Sequence, residues 1–369
     1  MPVKKSATSL LKPRRAIARM TPYHPPSSGR SGKMRLDFNE NTVGCSPRVT
    51  ARLKKLTPAA LAAYPEYEEA VPSLARFFRV RADELTLTNG TDEAIQLIIN
   101  TFVDPGDRVL ILRPSYAMYR FYAQIMGGIV DEIDFRPDLS FPAYAIVKHL
   151  GTPAGRRTRA VLIANPNNPT GTSASPEQLR AILRAAPQAA VLVDEAYFEF
   201  FGQTAIGWLG KFPNLFVSRT FSKAFGLAAL RVGCLFSQAE NIAAVRKGQS
   251  PYSVNAVAVI AALEAIKDPG YVKKYVAEMF ASRKLLCDEL KRLGLSYGSS
   301  DANFVLIDFG EQHRAIRDLL AERGILVRDR DYEISGNVRF TVGTLKQTRT
   351  LIRELRRAVR RLVSEGGAK

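Results

Sequence analysis

Four short apolar runs, at 108–112, 160–164, 190–193 and 215–218, each give way to polar or turn-forming residues, with segments of helical period between them. Helices are expected at 91–103, 115–126 and 176–186. Strands that are apolar on both faces and alternate with helices describe a mostly parallel sheet covered on both sides. The expectation is an α/β fold. A chain of 369 residues exceeds the size at which one core usually keeps growing, so a second domain is expected as well. Beyond about residue 255 the pattern changes to long helices, followed by short strands near 303–308 and 338–342. That change suits a smaller α+β domain. The expected division is an arm at 1–35, a large domain at 50–255, and a small domain built from 36–49 and 256–369.

Charge and composition narrow the partners. The net charge of +18 could attract nucleic acid or an acidic metabolite. The basic residues run the whole length of the chain, however, and include Arg349, Arg353, Arg356, Arg357, Arg360 and Arg361 on one C-terminal helix. A solvated basic surface is therefore expected, and a nucleic-acid partner is not. Cys45, Cys234 and Cys287 have no paired or metal-ligand spacing, and His24, His149 and His313 stand alone, so neither a metal site nor a disulfide framework is expected. Lys, Arg, Gly or Pro interrupts every apolar run before it reaches membrane-spanning length. Lys4, Lys5, Lys12, Arg14 and Arg15 precede no apolar run of the signal-peptide kind, and the expectation is a mobile basic arm on a cytoplasmic protein.

The chemistry gathers where the apolar runs end, which is where open α/β sheets place their ligands. The run at 160–164 meets Asn165-Pro166-Asn167-Asn168-Pro169-Thr170-Gly171, a stiff turn that presents side-chain amides. The run at 190–193 meets Asp194-Glu195-Ala196-Tyr197. The run at 215–218 leads to Arg219-Thr220-Phe221-Ser222-Lys223-Ala224-Phe225-Gly226, with Arg231 eight residues beyond the lysine. Singly, each residue has a plainer use: Lys223 or Arg231 at the surface, Asp194 capping a helix, Tyr197 packing, Asn168 bracing a turn. Together they match the needs of pyridoxal 5′-phosphate (PLP). Lys223 can hold it as a Schiff base and later move a proton, and Asp194 can pair with the protonated ring nitrogen. Tyr197 and Asn168 can bond the ring oxygen. Ser222, Arg231 and the amides of Gly90-Thr91, at an expected helix start capped by Thr91 or Asp92, can receive the phosphate.

At this point the chain resembles the fold-type-I aminotransferases, and within them the histidinol-phosphate aminotransferases. The matching pieces include Thr21-Pro22-Tyr23, Asn39-Glu40-Asn41, Tyr64-Pro65-Glu66, Asn89-Gly90-Thr91-Asp92-Glu93, Pro114-Ser115-Tyr116-Ala117-Met118-Tyr119, Asn165–Gly171, Asp194–Tyr197, Arg219–Gly226 and Arg339-Phe340-Thr341-Val342-Gly343-Thr344. The resemblance implies a large PLP-binding domain with a mostly parallel sheet and a smaller α+β domain. It implies that Tyr116 stacks on the cofactor ring, and that Asp92 is the acidic residue of the phosphate-side turn. Tyr64 would reach the phosphate in a neighbouring subunit, which makes the protein a homodimer with shared active sites.

The resemblance also implies an anion site for substrate at Arg339, with Arg328 as a second contact and Tyr23 at the phosphate end of the pocket. Amino-acid and keto-acid substrates follow, one of them bearing a phosphate, and the expected reaction moves an amino group between glutamate and imidazole-acetol phosphate. The chain departs from the family at Thr42-Val43, where a proline and a leucine are usual, and this is expected to alter the lid or entrance. An aromatic-amino-acid aminotransferase, using Arg339 for the substrate carboxylate, is the principal alternative. A phosphate-substrate lyase or decarboxylase, a cofactor-binding sensor and a dinucleotide dehydrogenase are weaker ones. The sensor would need a DNA-binding module, and the dehydrogenase would need a glycine-rich turn after an early strand; the sequence displays neither.

Overall fold

The computed structural model describes residues 11–22 and 29–366; Tyr23 and the first ten residues of the expected arm lie outside them. The first strand, β1 (Met34–Leu36), belongs to a small four-stranded sheet. Then come β2 (Leu85–Thr88), β3 (Arg108–Arg113), β4 (Ile129–Asp134), β5 (Thr158–Ala164), β6 (Ala190–Asp194), β7 (Leu215–Thr220) and β8 (Gly233–Phe236), which make a seven-stranded sheet in the order β2-β8-β7-β6-β5-β3-β4. Every neighbour pair from β7 to β4 is parallel, and β8 runs antiparallel to both β2 and β7. The α/β expectation holds.

Strand alternation explains why these runs read as continuously apolar. Val161, Ile163, Val191, Val193 and Val217 enter one core cluster, while Ala160, Leu162, Leu192 and Phe216 enter another on the opposite face. Both faces are covered, so both phases of the period-2 pattern must be apolar. Helix Gly90–Phe102 supplies Ile95, Ile98 and Ile99 to the second cluster. Helix Pro176–Ala185 begins at a capping box in which the Ser175 hydroxyl accepts from the Gln178 amide and the Gln178 side chain accepts from the Ser175 amide.

The small sheet adds β9 (Phe304–Asp308), β10 (Ile325–Asp329) and β11 (Asn337–Thr341), in the order β1-β10-β11-β9. Met34 and Arg35, which the sequence division gave to the arm, are thus sheet residues; Met34 and Leu36 are in register with Ile325 and Val327. A separate core holds Leu36, Phe304, Ile307, Val338 and Phe340. The long helix Pro269–Arg292 runs between the two bodies, and its Val272 packs on both cores.

The segment after β1 positions the site. Asn41 donates from Nδ2 to the carbonyl of Ala224 at 3.0 Å, and a Cβ placed on Gly226 would lie 2.6 Å from the carbonyl of Gly44. Gly226, at φ +71, is therefore needed both for its backbone conformation and for the close approach of the two loops.

Candidate active site

A cavity of about 290 Å³ opens at the C-terminal ends of β5, β6 and β7, closed from above by residues 38–40 and by β10 and β11. It gathers Thr91, Tyr116, Asn168, Asp194, Tyr197, Ser222, Lys223, Arg231, Arg328 and Arg339, all named from the sequence. Gly90 stands at its edge, against Arg231. Tyr64 is not brought there: it is 75% exposed and stacks on Tyr252, with ring centroids 4.5 Å apart.

Lys223 follows β7 on a loop. Its Nζ donates to the carbonyl of Phe38 at 3.0 Å and lies 5.8 Å from the Tyr197 ring centroid. Burial, followed by the nearby Arg339 guanidinium, pulls the amine down to about 8. A neutral, nucleophilic amine is thereby within reach near physiological pH.

Asp194 ends β6 and is buried. Its Oδ1 accepts from the Ser218 hydroxyl at 2.8 Å and its Oδ2 from the Tyr119 hydroxyl at 2.9 Å. Burial raises the carboxyl to about 6, against the pull of these two donors. Ser218 and Tyr119 fall within stretches picked out in the sequence, but were given no role there. Tyr119 had a signal, since it ends the same matching piece as Tyr116, whose ring it meets edge-on with centroids 5.8 Å apart. Ser218 lies beside Asp194 across the β6–β7 ladder, a pairing that only the register supplies.

At one end of the cavity Arg231 is fixed by three bonds. Its Nη2 donates to Asp92 Oδ2 at 3.0 Å, and its Nη1 to the Ser222 hydroxyl and the Ala228 carbonyl, both at 3.3 Å. The Tyr116 hydroxyl donates to the other Asp92 oxygen at 2.7 Å. Neither Thr91 nor Asp92 caps the helix as expected: Asn89 is the N-cap residue, and Gly90, at φ +73, starts the helix. Asp92 then falls in the first turn, where it is taken up by Arg231 and Tyr116. A Cβ on Gly90 would sit 2.5 Å from Arg231 Nη2, and the buried Thr91 hydroxyl has no hydrogen-bond partner among the described residues.

At the other end, Arg339 donates to Asn168 Oδ1 and, at 2.6 Å, to the carbonyl of Asp37. Asn168 faces the cavity, while its neighbour Asn167 is turned inward, donating to the carbonyl of Pro114 and accepting from the Ser115 hydroxyl. Tyr197 accepts at its hydroxyl from Asn39 Nδ2 at 2.9 Å. Asn39 stands at φ 56, pinned by Thr341 and by Asn303. The sequence marked Asn39 only as part of a matching motif.

The arrangement meets the demands of a planar cofactor with an aldehyde, a basic ring nitrogen and a phosphate. A buried amine faces the middle, a buried carboxylate lies at one edge, and the end walled by Arg231 offers a free hydroxyl and a glycine amide at a helix start. Amine chemistry and two anion-binding ends are what these side chains can supply.

The family profile of aminotransferase class I and II matches residues 31–355. A histidinol-phosphate aminotransferase of Symbiobacterium thermophilum is 35% identical over 366 residues, covering 94% of this chain and 98% of that protein. Histidinol-phosphate aminotransferase 2 of Carboxydothermus hydrogenoformans is also 35% identical, covering 93% and 98%. The crystal structure of histidinol-phosphate aminotransferase from Sinorhizobium meliloti in complex with pyridoxal-5′-phosphate is similar with a TM-score of 0.87 at 25% identity, covering 97% of this chain and 99% of that one. The chain belongs to the class I and II aminotransferase family.

Proposed function

We propose that this class I and II aminotransferase holds pyridoxal 5′-phosphate at Lys223 and moves an amino group between glutamate/2-oxoglutarate and L-histidinol phosphate/imidazole-acetol phosphate. The observation that carries the reading is the placement of Lys223 between two cationic ends, Arg231 at one and Arg328 with Arg339 at the other. One end suits the cofactor phosphate and the other a substrate anion. The curated relatives in Symbiobacterium thermophilum and Carboxydothermus hydrogenoformans support the choice of substrate.

Bound pyridoxal phosphate supplies an aldehyde with which amines condense and a protonated ring that draws electron density from the reacting carbon. Asp194, ionised above about pH 6, accepts the ring N–H and keeps that nitrogen protonated. Arg231, Ser222, Thr91 and the Gly90 amide would hold the phosphate. Asn168 and Tyr197, which line the cavity, would bond the ring oxygen, and Tyr116 would stack on the ring. Lys223 Nζ would carry the proton that leaves the substrate carbon, a task suited to an amine brought down to about 8. Arg339 and Arg328 orient the substrate through its anionic group.

Tyr64 belongs to the same proposal as a contribution to the partner's site in a homodimer. Its exposure, and its stacking on the exposed Tyr252, support a role outside its own chain's cavity.

The test is a single-turnover comparison on purified, cofactor-loaded protein. Equal concentrations of L-histidinol phosphate and L-phenylalanine are mixed with it separately, and the decay of the visible absorbance of the Lys223-linked cofactor is followed. Much faster decay with histidinol phosphate upholds the reading. Faster decay with phenylalanine moves the protein to aromatic amino acids and leaves the cofactor assignment intact.

A further inference from the structure

We infer that Arg330 is a third guanidinium of the substrate-anion end, and that together with Arg328 and Arg339 it selects a phosphate dianion over a single carboxylate. The inference rests on the substrate's anionic group lying at Arg328 and Arg339.

Strand geometry puts the three side chains on one face. Arg328 and Arg339 are register partners across β10 and β11. Arg330 is two residues beyond Arg328, and its amide donates to the Asn337 carbonyl at 2.8 Å, which prolongs the ladder past the end of β10. Residues i and i+2 of a strand share a face, and directly paired residues share it too. All three arginines line the cavity. Asp329, between two of them, is on the opposite face, where its carboxylate accepts from Arg317 at 3.1 Å and lies 3.2 Å from His313 Nδ1. It is not a counterion for Arg328.

The charges are left unbalanced. Arg330 is paired with Glu333. Among the described residues Arg339 is bonded only to neutral acceptors, the Asn168 side chain and the Asp37 carbonyl. Among the described residues no carboxylate pairs with Arg328, which stands 5.7 Å from the Phe38 ring centroid. The carboxylates of Asp37 and Glu40 share Arg30, at 2.8 and 2.7 Å. Arg35 also approaches Glu40, at 3.8 Å, so five guanidiniums (Arg30, Arg35, Arg328, Arg330, Arg339) face three carboxylates (Asp37, Glu40, Glu333), which leaves two positive charges around this end. Like charges directly opposed on a sheet oppose folding. The Nε atoms of both Arg330 and Arg339 are also buried without a partner among the described residues, and burial together with Arg330 and Arg328 lowers Arg339 to about 10.

An anion in the cavity relieves this repulsion, and the size of the relief depends on its charge. A phosphate monoester has close to two negative charges near neutral pH and three acceptor oxygens. A lone carboxylate has one charge and two oxygens, which Arg328 and Arg339 already match. The third guanidinium adds most to the phosphate.

The experiment uses cofactor-loaded wild type, Arg330→Gln, Arg330→Lys and Glu333→Gln, with intact absorbance and melting as the check on folding. Two quantities are read: single-turnover rate constants at low substrate for L-histidinol phosphate and L-phenylalanine, and competitive inhibition of the glutamate half-reaction by inorganic phosphate. For Arg330→Gln the histidinol-phosphate constant is expected to fall about 10- to 100-fold, the phenylalanine constant only a few-fold, and phosphate inhibition to weaken by about tenfold or more. Arg330→Lys should recover part of the phosphate inhibition, and Glu333→Gln should strengthen it. Equal losses on both substrates, or unchanged phosphate inhibition in Arg330→Gln, overturn the inference. A wild type that ignores histidinol phosphate while phosphate inhibition still depends on Arg330 removes the substrate reading and keeps the anion site.

Discussion

Tyr119 donates its hydroxyl proton to Asp194 Oδ2 at 2.9 Å, and this bond, with that from Ser218, is what holds a buried carboxylate partly ionised. Burial alone drives Asp194 upward, to about 6 on balance. Tyr119→Phe removes a donor to the charged form and should raise it further. Pyridoxal phosphate is then expected to bind about 10-fold more weakly at pH 7, a loss suited to a hydrogen bond to a charged group. The acidic limb of the rate profile should move to higher pH. Cofactor titration and a pH–rate profile check both; an unchanged limb contradicts the role given to Tyr119.

The same carboxylate makes the cofactor-free fold pH-sensitive. Its folded value lies above the ordinary carboxylate value, so the folded protein holds the proton more tightly than the unfolded chain. The resulting stabilisation is full below about pH 4 and is lost as pH rises through about 6. Cofactor-free wild type should therefore lose melting temperature relative to Asp194→Asn between these limits. Parallel curves for the two proteins exclude this.

Lys223 has the opposite sign. Its amine is lowered to about 8, so its contribution to cofactor-free stability is present above about pH 10.5 and is lost as pH falls through about 8. At pH 7 roughly one-tenth of such an amine is neutral, and the rate at which the protein captures pyridoxal phosphate should climb with pH up to about 8. Lys223→Ala should lose transamination and still yield folded protein that binds the cofactor non-covalently. Full activity in that variant sinks the assignment.

Asn39 ties the small sheet to the cavity through its bond to the Tyr197 hydroxyl, from a backbone at φ 56. Asn39→Gly keeps that backbone accessible and removes the donor; Asn39→Ala removes both. The glycine variant should lower kcat about 5- to 10-fold with little change in melting, and the alanine variant should lose a further ~1 kcal/mol of stability. Equal melting losses in the two would show that the backbone conformation does not matter there.

Sharing of sites between subunits has its own readout. Tyr64→Ala and Lys223→Ala each damage a different part of a site. If Tyr64 serves the partner, co-refolded mixtures form heterodimers in which one site carries both changes and the other neither. Activity should then exceed that of either variant alone. Mixtures no more active than their components argue for Tyr64 acting within its own chain, or not at all.

Much of this protein could be read one strand at a time. The continuous apolar character of β5, β6 and β7 announced a sheet covered on both faces, and the polar residues at their ends, Asn168, Asp194, Tyr197 and Lys223, were found because side chains at strand ends enter the same crevice. These are local matters: period, run length and the residue that breaks the run. Helix starts were legible less sharply, as at Gly90, where a positive φ moved the cap back to Asn89.

What the sequence by itself determined, then, is the sheet class, the amine, the carboxylate and the Arg231 end, because each is encoded within a few adjacent residues; the Arg328 and Arg339 end was pointed to only by the resemblance. Only the tertiary structure decided how those groups are tuned. One of the two donors to Asp194 comes from a helix 75 residues away, Tyr197 is held from Asn39 158 residues away, and the Lys223 amine is met by a carbonyl 185 residues away. Contacts of that range depend on how two cores settle against each other. Burial, which sets the charge of Asp194, Lys223 and Arg339, is a property of the packed whole and has no local signature.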